Sequence, residues 1–379
     1  MKGAFITATR KAASGIKNGL RSFSRSQLLI PVLALLAIVL INLVRLFFGA
    51  HNFFEITMGT TTGGIPVLGG NIINIVSQAS ELAILAMGMT LVTAASGGQD
   101  ISVGAAATIA GGVFARVLMG MGQISFVTML VAILCAVAVA ILCGAFNGAL
   151  VSVLKIQPMI ATLILFTCGR SIATKIIGAD SELVLEAPPL QYIGGNIRGI
   201  PFHTSILVVI VFGVLMALVL KFTNLRLYTQ AVGINGKAAR LNGINTVWIK
   251  MLTFMILGVC VAVAASVNAA RNGTVKPNNM LDAIEMDAIL AVAIGGNALS
   301  GGKFSMVGSV LGAYILRALE TTLLSIGVSP VSIKAWKAGV IIVIVLLGSS
   351  IVKDAVSRAW KKFFIKAPRK KPDAQMGDT

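Results

Sequence analysis

The chain has 379 residues, 56% of them hydrophobic and 12% charged, with 31 Lys and Arg against 13 Asp and Glu for a net charge of +18. A soluble domain carries about a quarter charged residues. Half that share, set between long apolar runs, excludes an ordinary soluble enzyme, a disordered chain and the alternating strands of a membrane β-barrel.

Lys2, Arg10, Lys11, Lys17, Arg21 and Arg25 precede an apolar run from Leu28 to Val44. That run is longer than a signal-peptide core and lacks a small-x-small cleavage site, so it reads as an uncleaved first span. Spans of roughly 20 residues are expected in chain order at 28–48, 71–95, 101–119, 124–154, 157–177, 204–221, 249–270, 285–299, 304–325 and 331–350. The eighth is short, and the fourth is long and interrupted by Gly144, Asn147 and Gly148; a broken or re-entrant helix is expected at either place. The fold class is therefore all-α: a polytopic helical membrane protein with about ten transmembrane helices and one or more broken or re-entrant segments. Residues 1–27 form a basic segment, 28–350 the membrane domain, and 351–379 a basic tail. Most Lys and Arg fall in the ends and in alternate loops, which puts both termini in the cytoplasm. That pattern, without any recognition motif, excludes nucleic acid as a partner.

Along the second span Asn71, Asn74, Gln78 and Glu81 recur at steps of three and four, on one helix face. Polar groups at membrane depth face protein or a watery cavity, so the stripe reads either as a solute-path lining or as helix–helix hydrogen bonding. Asp100 is placed to cap the third span. Ser96-Gly97-Gly98 followed by Val103-Gly104 is echoed at the same offset by Ser300-Gly301-Gly302 followed by Val307-Gly308, a faint internal repeat. Cys135, Cys143, Cys168 and Cys260 lie inside apolar runs without CxxC spacing and read as small hydrophobes, not as metal ligands or disulfides.

The loop between the sixth and seventh spans, about 222–249, is basic and patterned: Gln230-Ala-Val-Gly-Ile-Asn-Gly236-Lys237-Ala238-Ala239-Arg240-Leu241-Asn242-Gly243. A short helix ended by Gly243 fits it, with paired alanines that allow close docking against another protein. Asn272-Gly273-Thr274 matches a glycosylation acceptor. Asn297 to Phe304 imitates a phosphate loop but lacks its first Gly and its Ser or Thr after Lys303, so no ATP hydrolysis is expected of this chain. Arg317 and Glu320, one turn apart, are expected to pair. His51 and His203 read as lone, solvated loop histidines. No catalytic constellation, cofactor site or metal site is expected.

Ala238-Ala239-x-x-x-Gly243 resembles the coupling-loop signature of ABC importer permeases, with Lys237 where many of them have Glu. Gly97-Gly98-Gln99-Asp100-Ile101-Ser102-Val103-Gly104-Ala105, Asn147-Gly148-Ala-Leu-Val151, Ile160-Ala-Thr162-Leu163 with Gly169-Arg170, and Asp287 to Gly296 with Ser300-Gly301-Gly302 resemble, in order, the permeases of the ribose, xylose and galactose group. The segment from Lys155 to Ile164 looks closest to galactofuranose importer permeases. The resemblance implies one of two membrane subunits of a bacterial ABC monosaccharide importer, in the plasma (inner) membrane. Its implied partners are two ATP-binding subunits, a second permease of the same or a related chain, and an external or periplasmic solute-binding protein. It further implies that Gly236, Lys237, Ala238, Ala239, Arg240 and Gly243 couple to the ATP-binding subunits, while Asn74, Gln78, Glu81 and Asn268 are the candidates for the sugar path. Permeases for nucleosides or branched-chain amino acids share this layout, and an ion-coupled secondary transporter is the competitor from another class.

Overall fold

The computed structural model describes residues 29–49, 52–60, 66–122, 125–178, 183–185, 188–197, 199–277 and 279–348. The basic segments 1–27 and 351–379, and His51, lie outside them. Helix α1 (Leu29–Phe47) leads to a short hairpin, β1 (Thr57–Thr60) antiparallel to β2 (Pro66–Gly69). Then come α2 (Asn71–Ser96), α3 (Val103–Gly120), α4 (Phe126–Ser152) and α5 (Pro158–Ile177). A two-residue strand β3 (Leu183–Val184) and a 3-10 turn (Pro188–Tyr192) precede α6 (Thr204–Phe222). Two short helices, α7 (Leu225–Ile234) and α8 (Gly236–Leu241), lead into α9 (Thr246–Asn272). Strand β4 (Thr274–Val275), antiparallel to β3, precedes α10 (Ile284–Ile294), α11 (Met306–Ser325) and α12 (Pro330–Gly348).

Helices thus occupy all ten expected places, and the chain is a polytopic all-α membrane protein. Among the described residues seven of them, α2 to α6, α9 and α11, are long and apolar enough to cross a membrane. Helix α10, with 11 residues, is about 16 Å long at 1.5 Å per residue, roughly half of a 30 Å hydrocarbon core. The short eighth segment is therefore a half-length helix. The fourth segment is different from its expectation: α4 runs unbroken through Gly144, Asn147 and Gly148.

The reason lies in packing. Ala136, Ala140, Gly144 and Gly148 repeat every four residues and are all buried, a small-residue stripe of the kind that lets membrane helices approach closely. It faces α9: a Cβ at Gly144 would run into the Phe254 carbonyl, and one at Gly258 of α9 into that of Ala140. Helix α2 lies at the centre of the bundle, buried almost continuously from Ser77 to Ala95, and is packed by α9, α11, α6 and α10. Helix α3 is held between α4, α5 and α9. Helix α1 lies against α11, where Asn42 donates to Thr322 (2.9 Å) and Arg45 to Ser325 Oγ (2.8 Å).

At one end of the bundle the turn after α2, the α4–α5 turn and the α10–α11 loop meet. Gln99 Nε2 donates to the Leu299 carbonyl (2.9 Å), the Ile101 amide to Thr162 Oγ1 (3.2 Å) and the Gly302 amide to the Ala94 carbonyl (3.1 Å). The two echoed glycine turns pack back to back here, Gly97 against Ser300 and Gly301. Gly233 of α7 lies on the Ala94 carbonyl and the Gly302 amide. From this end residues 98–102 pass alongside the first turns of α5, so α3 begins already inside the bundle, with Gly98 against Pro158 and Gly169 packed on Ala105. Helix α10 also begins inside, its Glu285 carboxylate against Gly104.

Candidate functional site

Two regions assemble the polar and charged groups of interest. The first is the end just described. Lys155, Lys221, Arg226, Lys237, Arg240, Lys250 and Lys303 gather there, and the only carboxylate at this end among the described residues is the buried Asp100. Asp100 does not cap α3 as expected; Ser102 is the N-cap residue. Asp100 Oδ1 instead accepts from the Ser102 amide (2.8 Å) and hydroxyl (2.6 Å), and Oδ2 from Asn147 Nδ2 (3.2 Å), which closes the turn and fastens it to α4. Burial pushes the Asp100 carboxyl above its ordinary range, against the pull of these hydrogen bonds.

The α7–α8 hairpin projects from this end. Asn235 caps α8, its Oδ1 accepting from the amides of Lys237 (3.1 Å) and Ala238 (3.0 Å). Gly243, at φ 80°, ends it in a Schellman motif: the Ile244 amide donates to the Ala239 carbonyl (3.1 Å) and the Gly243 amide to that of Arg240 (3.0 Å). The two alanines divide their tasks. Ala239 is buried with Val232 and Ile249 and anchors the hairpin, whereas Ala238 is exposed beside Lys237 and Arg240. Arg240 also donates to Thr246 Oγ1 (3.1 Å). Leu241 stands 89% exposed at the tip and Ile234 75%, so the hairpin presents an apolar and cationic surface that α8 alone is too short to sustain.

The second region is a buried polar network inside the bundle. Glu81 Oε1 lies 3.0 Å from Arg271 Nε, and Glu81 Oε2 accepts from Asn268 Nδ2 at 3.0 Å and Arg271 Nη2 at 3.4 Å. Asn272 Nδ2 donates to Asn268 Oδ1 at 3.2 Å. Glu81 and Asn268 are thus brought together between α2 and α9, while Gln78 and Asn74 stand exposed on α2, one and two turns back toward its start. Asn71 is half-buried and reaches the Phe53 carbonyl (3.5 Å).

Several groups were not singled out by their spacing. Lys337 of α12 lies 2.8 Å from Asp287 of α10 and 3.9 Å from Glu320 of α11; Glu320 also takes the expected pair with Arg317 (2.7 Å). Asn297 links the α10–α11 loop to α2 through Ser309 (2.8 Å), which in turn accepts from Thr90 (2.6 Å). His203 is half-buried: it precedes α6 with Nδ1 enclosed, and burial together with the nearby Arg271 charge pushes its pKa down. Among the described residues no group of His, Cys, Asp and Glu could hold a metal ion.

The family model described as branched-chain amino acid transport system / permease component matches residues 71–348. The galactofuranose transporter permease protein of Escherichia coli strain K12 is 36% identical over 329 residues, covering 86% of this chain and 92% of that protein. The fructose import permease protein of Bifidobacterium longum strain NCC 2705 is 34% identical, with 89% and 92% covered. The ribose import permease protein of Escherichia coli strain K12 is 32% identical, with 87% and 97% covered. No solved structure matches the chain.

Proposed function

The chain belongs to the family of branched-chain amino acid transport system / permease components, and on that premise we propose that it is the membrane-spanning permease subunit of a bacterial ABC importer for a monosaccharide. The observation that carries the substrate class is the nearly end-to-end similarity to three permeases whose names specify galactofuranose, fructose and ribose. Those relatives favour a sugar over the nucleoside and branched-chain amino acid alternatives. The chain is a transport subunit and not a catalyst. Hydrolysis of ATP falls to two separate ATP-binding subunits, a second permease of the same or a related chain completes the pathway, and an external solute-binding protein delivers the sugar.

The basic end supports an assignment as the cytoplasmic face, since it concentrates Lys and Arg with one buried acid. On that face the α7–α8 hairpin, with Gly236, Lys237, Ala238, Arg240 and Gly243, is the contact to the ATP-binding subunits, and Ala239 holds it to the permease. Asn74, Gln78, Glu81 and Asn268 line the route of the sugar, the first two at its exposed entry and the second two at a charged constriction with Arg271. Alternating access follows if ATP-bound and ATP-free partners favour opposite openings. The test is purification of the tagged chain from its host's membranes in mild detergent, with mass spectrometry of what accompanies it. An ABC ATPase is expected, and a second permease if the pair is mixed. A folded chain recovered without any ATPase would overturn the reading.

A further inference from the structure

Helix α6 is joined to α2 near its start, where Ser205 and Ser77 hydroxyls lie 3.1 Å apart. Beside its second half a cavity of about 890 Å³ opens between α6 and α11, with Met87 of α2 among its lining. Its walls are aliphatic, with Ala217 and Leu220 on α6 and Val310 on α11, and it reaches the surface at Val307, 65% exposed. Its lining ends at the basic end in two cations, Lys221 and Arg226. The Arg226 guanidinium stacks 5.6 Å from the Phe304 ring centroid, a contact that orients an arginine without neutralising it. Neither cation has a carboxylate within ion-pair distance among the described residues, because Asp100 is buried and committed to Ser102 and Asn147.

An aliphatic cleft in the wall of a membrane protein, closed at one end by two unneutralised cations, has the two-part chemistry of a phospholipid. We propose that this crevice binds an anionic phospholipid, its acyl chains against α6 and α11 and its phosphate between Lys221 and Arg226. Charge complementarity selects the anionic class. Each Lys or Arg near a membrane surface favours anionic lipid by about 1 kcal/mol, so two give roughly a thirtyfold preference over a zwitterionic lipid. Gly213 offers an independent handle, since it lines the cleft and a Cβ there meets no atom within 4 Å, so a side chain added at this position starts in open space.

The test is native mass spectrometry of the full chain in mild detergent, titrated with dioleoyl phosphatidylglycerol and, separately, dioleoyl phosphatidylcholine. The wild type is expected to retain phosphatidylglycerol with the preference given above. Lys221→Gln with Arg226→Gln is expected to bring the two lipids to parity, and Gly213→Phe to weaken both while leaving the melting temperature unchanged. Equal binding of the two lipids by the wild type, or an unaltered preference in the double variant, would overturn the proposal. So would a disulfide-linked dimer that forms in native membranes only with Gly213→Cys, because a second chain would then occupy the crevice.

Discussion

The buried pair between α2 and α9 makes a quantitative test of how this bundle is held together. Its two members are unequally enclosed: the Glu81 side chain is 2% exposed and that of Arg271 19%. Arg271→Met strands a carboxylate that water barely reaches, and loss of one partner of a buried pair costs about 3–5 kcal/mol; we expect about 4. Glu81→Leu leaves a guanidinium that retains some contact with water, together with the Asn268 amide deprived of its acceptor. That combination costs about 2 kcal/mol. The double variant carries no stranded charge and keeps only the Asn268 defect, about 1 kcal/mol. The cycle should therefore be non-additive by about 5 kcal/mol, above the ordinary range for neighbouring residues. Unfolding in detergent, followed by tryptophan fluorescence, reads all four corners, and reconstituted uptake read alongside separates a packing role from a transport role. Additive stability losses would refute the account of Glu81 and Arg271 as one compensated unit. Uptake at wild-type rate by the double variant would refute Glu81 as part of the sugar route.

Other perturbations have equally direct readouts. Gly243→Asp puts an L residue at φ 80° with open space around its Cβ, a cost of about 1 kcal/mol; the protein should insert normally while ATP-driven uptake is lost, and normal uptake by a well-expressed variant would count against the hairpin as the coupling contact. Gly144→Val drives a side chain into the Phe254 carbonyl and should separate α4 from α9 at a cost of about 3 kcal/mol, seen as loss of the monodisperse peak in gel filtration. His203 has a folded pKa below its ordinary 6.5. The unfolded chain therefore binds its proton first as acid is added, so this residue's contribution to stability is present above 6.5 and declines as pH falls from there toward the folded value. His203→Gln should flatten that part of the melting-temperature profile against pH, and an unchanged slope would place the titrating group elsewhere.

Apolar run length alone located ten of the helices, because a helix that crosses a bilayer must satisfy its backbone within itself whatever its neighbours do. The same local signal misjudged α4: glycine and asparagine look like interruptions along one helix, and their sense emerges only across the interface, where Gly144 admits the α9 backbone and Asn147 meets Asp100. The Arg317–Glu320 pair was legible because its partners share a helix face at i,i+3. Lys337 was not, since Asp287 and Glu320 come from two other helices. The 230–246 pattern exposed α8 and its glycine stop, but the opposite orientations of Ala238 and Ala239 depend on how α7 and α9 pack beneath them. Likewise the stripe from Asn74 to Glu81 gave a face without saying that its end turns inward to Arg271.

The contact between Gly233, Ala94 and Gly302 has a mechanical consequence. Side chains normally act as soft spacers between elements, and a small push is taken up by a rotamer change before it reaches the next backbone. Here three main chains touch directly at the junction of α7, the end of α2 and the α10–α11 loop, so there is no spacer to compress. Such a joint has little slack. A displacement of the exposed hairpin by a fraction of an ångström is carried at nearly full amplitude to the end of α2, the helix around which the rest of the bundle is packed.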